Sequence, residues 1–300
     1  MTRTLRLTTF SRTSVLLAAQ HRGFLEEQGL GLDVEDAKGS RPQMEGMLAG
    51  RWDLAHTNAD NVMKFRVHGS EDLFLFLVVD LGIAQKLIVH PDVTSFEDLR
   101  GRTVGVDSPD SGYAFVLYEL LGRHGLTADD YEVVPLGATA FRLEGLRDGS
   151  IVAGLLSHHH ETRALDEGFT ILADTRDEFP LHAGVTAGAT RTWALDNGDA
   201  LVGYTTALLK AARWAYDPAN REEVVAVVAH GRGIDLDAAR RLLEVETDGR
   251  TGVVGSVADV EESLAASAEL RARYTGTTPT GYFDPAAMQA ALTALQTNGT

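Results

Sequence analysis

Ten histidines and no cysteine set the terms for chemistry in this 300-residue chain. His56, in Ala55-His56-Thr57-Asn58, ends a short apolar run. Imidazole is the side chain whose ordinary pKa lies near neutrality, so a His at a strand exit can give and take protons. A His bonded to a loop carbonyl would suit the same position. Ser157-His158-His159-His160-Glu161 follows a second apolar run. Three His and a Glu are the donor types of a metal site. Neighbouring residues diverge by about 100° on a helix and about 180° on a strand, so they cannot all face one ion. No HExxH-type spacing accompanies them. The expectation is no metal and no cofactor, with His56 and one of His158, His159 and His160 carrying proton transfer. The lack of cysteine also removes disulfides, thiolate ligands and thiol nucleophiles.

A second group of residues suits the binding of an anion. Asp107-Ser108-Pro109-Asp110-Ser111-Gly112-Tyr113 reads as a turn opening a helix. Free backbone N–H groups there, with the hydroxyls of Ser108 and Ser111 and the approach past Gly112 and Tyr113, favour a carboxylate, sulfonate or phosphate. Plain N-capping is the competing reading of the same turn. Arg12 and Arg41 could fork onto a carboxylate. Ser11, Thr13, Ser40, Asn58, Asn61, Asp80 and Ser157 are polar residues at strand exits and complete the candidate ligand set. His182 lies near a crossover between lobes, and Tyr282 and Phe283 read as packing.

The elements that must position these groups follow from periodicity. Apolar alternation and runs predict strands at 4–9, 31–36, 53–56, 73–79, 84–89, 102–106, 131–135, 151–156, 169–173 and 183–188. Helical spacing predicts segments that alternate with these strands, and the last 100 residues are almost all helical. Strand–helix alternation implies parallel α/β construction. A faint repeat runs through the first half. Gly29-Leu30, a strand, Glu45-Gly46, Gly50 and a strand ending at His56 match Gly125-Leu126, a strand, Glu144-Gly145, Gly149 and a strand ending near Ser157. Two similar lobes are therefore expected, with ligand-lining loops at the carboxyl ends of their strands.

Composition narrows the partners. Forty-three acidic against 27 basic residues give a formal charge of −16, with no basic block. Nucleic acid and anionic membrane are poor partners for such a chain. No stretch approaches the roughly 18 apolar residues of a membrane span. No apolar signal region follows Arg3 and Arg6, so the expected location is cytoplasmic, or periplasmic or cell-surface if a signal peptide has been removed.

Three motifs carry a family likeness. Ala18-Ala19-Gln20-His21-Arg22-Gly23-Phe24-Leu25, leading to Gly29-Leu30, resembles the opening of type II periplasmic solute-binding proteins. Leu48-Ala49-Gly50-Arg51-Trp52-Asp53-Leu54-Ala55 and Ser95-Phe96-Glu97-Asp98-Leu99-Arg100-Gly101-Arg102-Thr103-Val104-Gly105-Val106 resemble two further elements of that group, in the same order. The likeness is to its nitrate/sulfonate/taurine-binding and NMT1/THI5-like branch. It implies an α/β, two-lobed type II solute-binding-protein fold with a ligand cleft between lobes and a helical C-terminal part. The lobes are placed at 1–88 with 188–300, and at 89–187. Gly39-Ser40-Arg41 resembles the family's ligand loop. Relatives of this kind include cytoplasmic dehydratases, decarboxylases and an aryl-sulfinate desulfinase. The desulfinase's nucleophilic Cys is replaced here by Ser11-Arg12-Thr13-Ser14, and its His position resembles His56. The expected function is a cytoplasmic enzyme of lyase, decarboxylase or hydrolase type. It would use cleft His on a small anionic organic molecule. The alternative is the solute-binding component of an ABC importer, with a permease as partner.

Overall fold

The computed structural model describes residues 2–157, 159–246 and 255–297. These fall into two compact units. The first comprises 1–81, 183–268 and 278–300, and the second 82–182 and 269–277. The return from Glu269 to Thr277 thus belongs to the second unit.

In the first unit the chain runs β1 (Arg3–Thr9), α1 (Ser14–His21), β2 (Leu30–Asp36), α2 (Ser40–Leu48), β3 (Leu54–Thr57), α3 (Ala59–Val67) and β4 (Leu73–Val78). The second unit contains β5 (Lys86–Val89), β6 (Arg102–Val106), α4 (Gly112–Arg123), β7 (Tyr131–Pro135), α5 (Thr139–Asp148), β8 (Ala153–Leu156), α6 (His159–Asp166), β9 (Thr170–Asp174) and α7 (Thr175–Glu178). The chain returns through β10 (Thr186–Thr190), α8 (Arg191–Asp196), α9 (Gly198–Ala215), α10 (Arg221–Arg232), α11 (Leu236–Glu246), α12 (Val257–Thr275) and α13 (Ala286–Thr297).

Each unit is built on one five-stranded sheet, ordered β2-β1-β3-β10-β4 and β7-β6-β8-β5-β9. The two orders have the same pattern, which is the structural form of the sequence repeat. Construction is not wholly parallel. β10 runs antiparallel to β3 and β4, and β5 antiparallel to β8 and β9. Both are strands at which the chain enters a sheet from outside its β–α–β succession, so no helical crossover constrains their direction. The edge of β4 is not left open. Leu75 N–H donates to the Tyr282 carbonyl at 2.7 Å, and Phe283 bridges Leu75. Tyr282 and Phe283, expected to pack, thus also cover an apolar strand that would otherwise expose unpaired backbone.

Local sequence explains the helix starts. Thr13, Asn58, Ser111 and Thr190 are extended residues whose side chains accept a hydrogen bond from the first turn that follows. Ser95 and Asp98 form a capping box over a single 3-10 turn, Phe96–Leu99. The repeat glycines have a packing role. A Cβ on Gly46 would lie 2.1 Å from the Trp52 ring, and one on Gly145 would lie 2.7 Å from Leu136. Only glycine lets α2 and α5 sit this close to what they cover.

Candidate functional site

The carboxyl edge of the first sheet is where β1, β2 and β3 hand over to α1, α2 and α3. Thr13 caps α1, Asn58 caps α3 by accepting the Asp60 N–H at 2.9 Å, and the Asn61 amide donates to Thr57 Oγ1 at 2.9 Å. Ser11 is held by Thr9, whose hydroxyl donates to its carbonyl at 2.7 Å. Arg12 is half exposed, with Nε 3.9 Å from Asp36. Ser40 and Arg41 are exposed at the start of α2, and Arg41 already pairs with Glu45 at 3.0 Å.

His56 is not on that edge. It is 1% exposed, and its Nε2 lies 2.9 Å from the Tyr204 hydroxyl, with the Tyr204 side chain fully buried in α9. β3 alternates, so Leu54 and His56 share one face and Ala55 and Thr57 the other. The face of His56 is the one α9 covers. Burial pushes the His56 imidazole down to about 3 and the Tyr204 phenol up. His56 is therefore buried in the core, where its Nε2 meets the Tyr204 hydroxyl and burial favours the neutral ring. A general base must come within hydrogen-bond reach of the proton it takes.

Asp80 follows β4 and accepts the Val185 N–H. Burial, with Glu246 close by, raises its carboxyl to about 7. Around it stands a cluster that sequence spacing did not reveal. Ser14 and Arg232 both hold Glu246, the latter at 3.1 Å, and Arg232 Nε donates to the Arg12 carbonyl at 3.0 Å. These residues lie far apart in sequence, so no local motif could bring them together.

The carboxyl edge of the second sheet is organised differently. Ser111 donates to Asp107, accepts the Ala114 N–H at 3.0 Å and caps α4, whose first residues are Gly112 and Tyr113. Ser108 donates to Asp110 at 2.6 Å. The N-capping reading of the 107–113 turn is realised. Beside it lies Arg142, 3% exposed in α5. Its Nε donates to the Leu155 carbonyl at 3.0 Å, Nη1 to the Gly137 carbonyl at 2.6 Å and Nη2 to Thr139 Oγ1 at 3.0 Å. Burial lowers its pKa, and Asp107 and Tyr113 partly offset that. Asp107, Tyr113, Ala114, Arg142 and Leu155 line one small recess, with room for about one water. The 107–113 turn is legible in the sequence as a helix start, whereas no local motif marks Arg142. The signal was present in the repeat, where Arg142 falls at the place of Gln43.

The histidine run divides. His158 and the side chain of His159 lie outside the described residues, and His160 is half buried in the first turn of α6. Ser157 is half buried after β8. Glu161 pairs with Lys86 at 2.6 Å, so its carboxylate already has a cation. Among the described residues no group of three or more His, Asp or Glu could hold a metal ion. His182 is buried in the second unit, edge-on to Phe179 at 5.5 Å, and burial lowers it to about 4. Among the described residues no helix is long and apolar enough to cross a membrane.

The profile of the NMT1-like family matches residues 4–229, most of the chain. The chain belongs to the NMT1-like family. No curated protein matches it. Solved structures share its fold at low identity. The alkanesulfonate-binding protein SsuA from Xanthomonas axonopodis pv. citri, bound to MOPS, is 18% identical with a TM-score of 0.74, over 95% of this chain and 97% of that one. The periplasmic nitrate-binding protein NrtA from Synechocystis PCC 6803 is 12% identical at 0.71, over 98% and 89%. A DszB mutant in complex with biphenyl-2-sulfinic acid is 15% identical at 0.69, over 98% and 100%. At these identities the likeness establishes the two-lobed solute-binding fold of an NMT1-like protein and leaves its ligand to the site itself.

Proposed function

We propose that this NMT1-like chain is the solute-binding component of an importer, working outside the cytoplasmic membrane and taking a small molecule that carries an oxyanion. The observation that carries this reading is the interior position of His56 beneath Tyr204. The expected proton-transfer group of the first unit is sealed and neutral, while the capped starts of α1 and α3 stand at the strand ends. Such an edge can bind through backbone N–H groups without chemistry. Neighbours that bind alkanesulfonate and nitrate support an anionic ligand, and those described as periplasmic support the location. The permease partner follows from the same reading.

The test is a thermal-shift panel of alkanesulfonates, aryl sulfinates, nitrate and carboxylates, because a ligand that binds only the folded state raises its stability by mass action. Each hit is then incubated with the protein and followed by mass spectrometry. Stabilisation with the ligand recovered intact is the expected result. Steady conversion of a stabilising ligand would replace this reading with an enzymatic one.

A further inference from the structure

We infer that Arg142 is the anion-binding residue of the second unit, seating a sulfonate-, sulfate- or nitrate-like group over the recess beside the start of α4. The inference rests on the solute-binding reading and names a contact within it.

The first observation is that Arg142 is a buried cation whose charge is only partly offset, by Asp107 across the same recess. It makes no ion pair with a described residue, and its three hydrogen bonds go to two carbonyls and a hydroxyl. Asp107, which accepts from the Ser111 hydroxyl, offsets the cost of burying the guanidinium only in part and forms no ion pair with it. Burying an unpaired charge is costly, and neutral acceptors compensate for it only in part.

The second observation is that the local architecture does not need the charge. Gln43 and Arg142 occupy the same place in the repeat, each two residues before the Glu-Gly pair of its unit. Gln43 is also buried, and its amide donates to the His56 carbonyl at 3.1 Å, as Arg142 Nε donates to the Leu155 carbonyl. A neutral amide therefore suffices to fasten the helix to the strand end. The guanidinium in the second unit keeps what the amide lacks, a full charge and spare donors. Of its five N–H bonds three are used, which leaves one on each Nη.

The third observation is the surroundings. The spare donors belong to a side chain that lines the recess with Tyr113 and Ala114, of the first turn of α4, and with Asp107, whose carboxylate opposes an anion there and must be outweighed by the guanidinium and the helix start. The backbone N–H groups of that turn and the positive end of the helix add to the guanidinium. A planar or tetrahedral oxyanion can accept from both at once, in the forked manner that suits arginine.

The experiment uses the full chain labelled with 15N-arginine, with the Arg142 Nε–H resonance assigned by its loss in Arg142→Gln. Sodium sulfate, nitrate and ethanesulfonate are titrated at constant ionic strength against chloride. The expected result is a saturable shift of that resonance with at least one oxyanion and not with chloride. Arg142→Gln copies the solution of the first unit. It should keep its melting temperature within a few degrees and bind the same anion at least about tenfold more weakly, the range for a lost charged hydrogen bond. An Arg142 resonance that no oxyanion moves overturns the inference, and Arg142→Lys, which also lacks the Nε–H and keeps the charge, supplies the assignment if Arg142→Gln folds poorly. Undiminished binding by Arg142→Gln overturns it too, yet leaves the solute-binding reading in place. If no anion stabilises the wild type and none moves the resonance, both fail together.

Discussion

Replacing His56 by Gln should trade stability at neutral pH for stability in acid. The imidazole has a pKa of about 3 in the fold against an ordinary value of 6.5. The unfolded chain therefore takes up the proton first. His56's contribution is whole above about pH 6.5 and is lost as the pH falls towards 3. At pH 5 the loss amounts to about 2 kcal/mol. Gln cannot titrate. At pH 7 it should cost about 1–2 kcal/mol, because the Tyr204 hydroxyl must find a new partner in a close-packed interior. The two effects cancel near pH 5, where variant and wild type should be of similar stability. The comparison has to be between proteins, because Asp80 titrates in the opposite sense in the same unit. Urea unfolding followed by tryptophan fluorescence reads the correct unit, since Trp52, Trp193 and Trp214 all lie in the first. Wild type and His56→Gln lines that stay parallel from pH 7 to pH 5 would refute the enclosed, neutral histidine.

Two further outcomes follow from the same contacts. Asp80, with its carboxyl raised to about 7, holds its proton more strongly folded than unfolded, so its contribution is present in acid and fades as the pH rises from about 4 through 7. Asp80→Asn should therefore gain stability over wild type as the pH rises through that window, with the Asn carbonyl still accepting from Val185; a gap that does not change with pH would count against it. Gly46→Ala should lose about 1–3 kcal/mol in denaturant unfolding, because its Cβ would meet the Trp52 ring at 2.1 Å. Restored stability in Gly46→Ala/Trp52→Leu would identify the ring as the cause.

The sequence alone determined the succession of elements. Periodicity located the strands, because a buried strand must be apolar whatever it packs against, and the capping residues Thr13, Asn58, Ser95 and Ser111 act within a turn of themselves. The repeat also exposed the common plan of the two sheets, because glycines such as Gly46 and Gly145 are required by close approach wherever that plan recurs. Burial and charge pairing were decided only in three dimensions. His56 and Asn58 are two residues apart, yet one is sealed and the other half exposed, and the difference is Tyr204, 148 residues away. Glu246 meets Ser14 across 232 residues, and Lys86 meets Glu161 across 75. Arg142 reads in sequence as an ordinary helical arginine. That it is buried without an ion pair to a described residue became visible only when α5 was laid over β8, because the pairing of a charge is a property of everything packed around it.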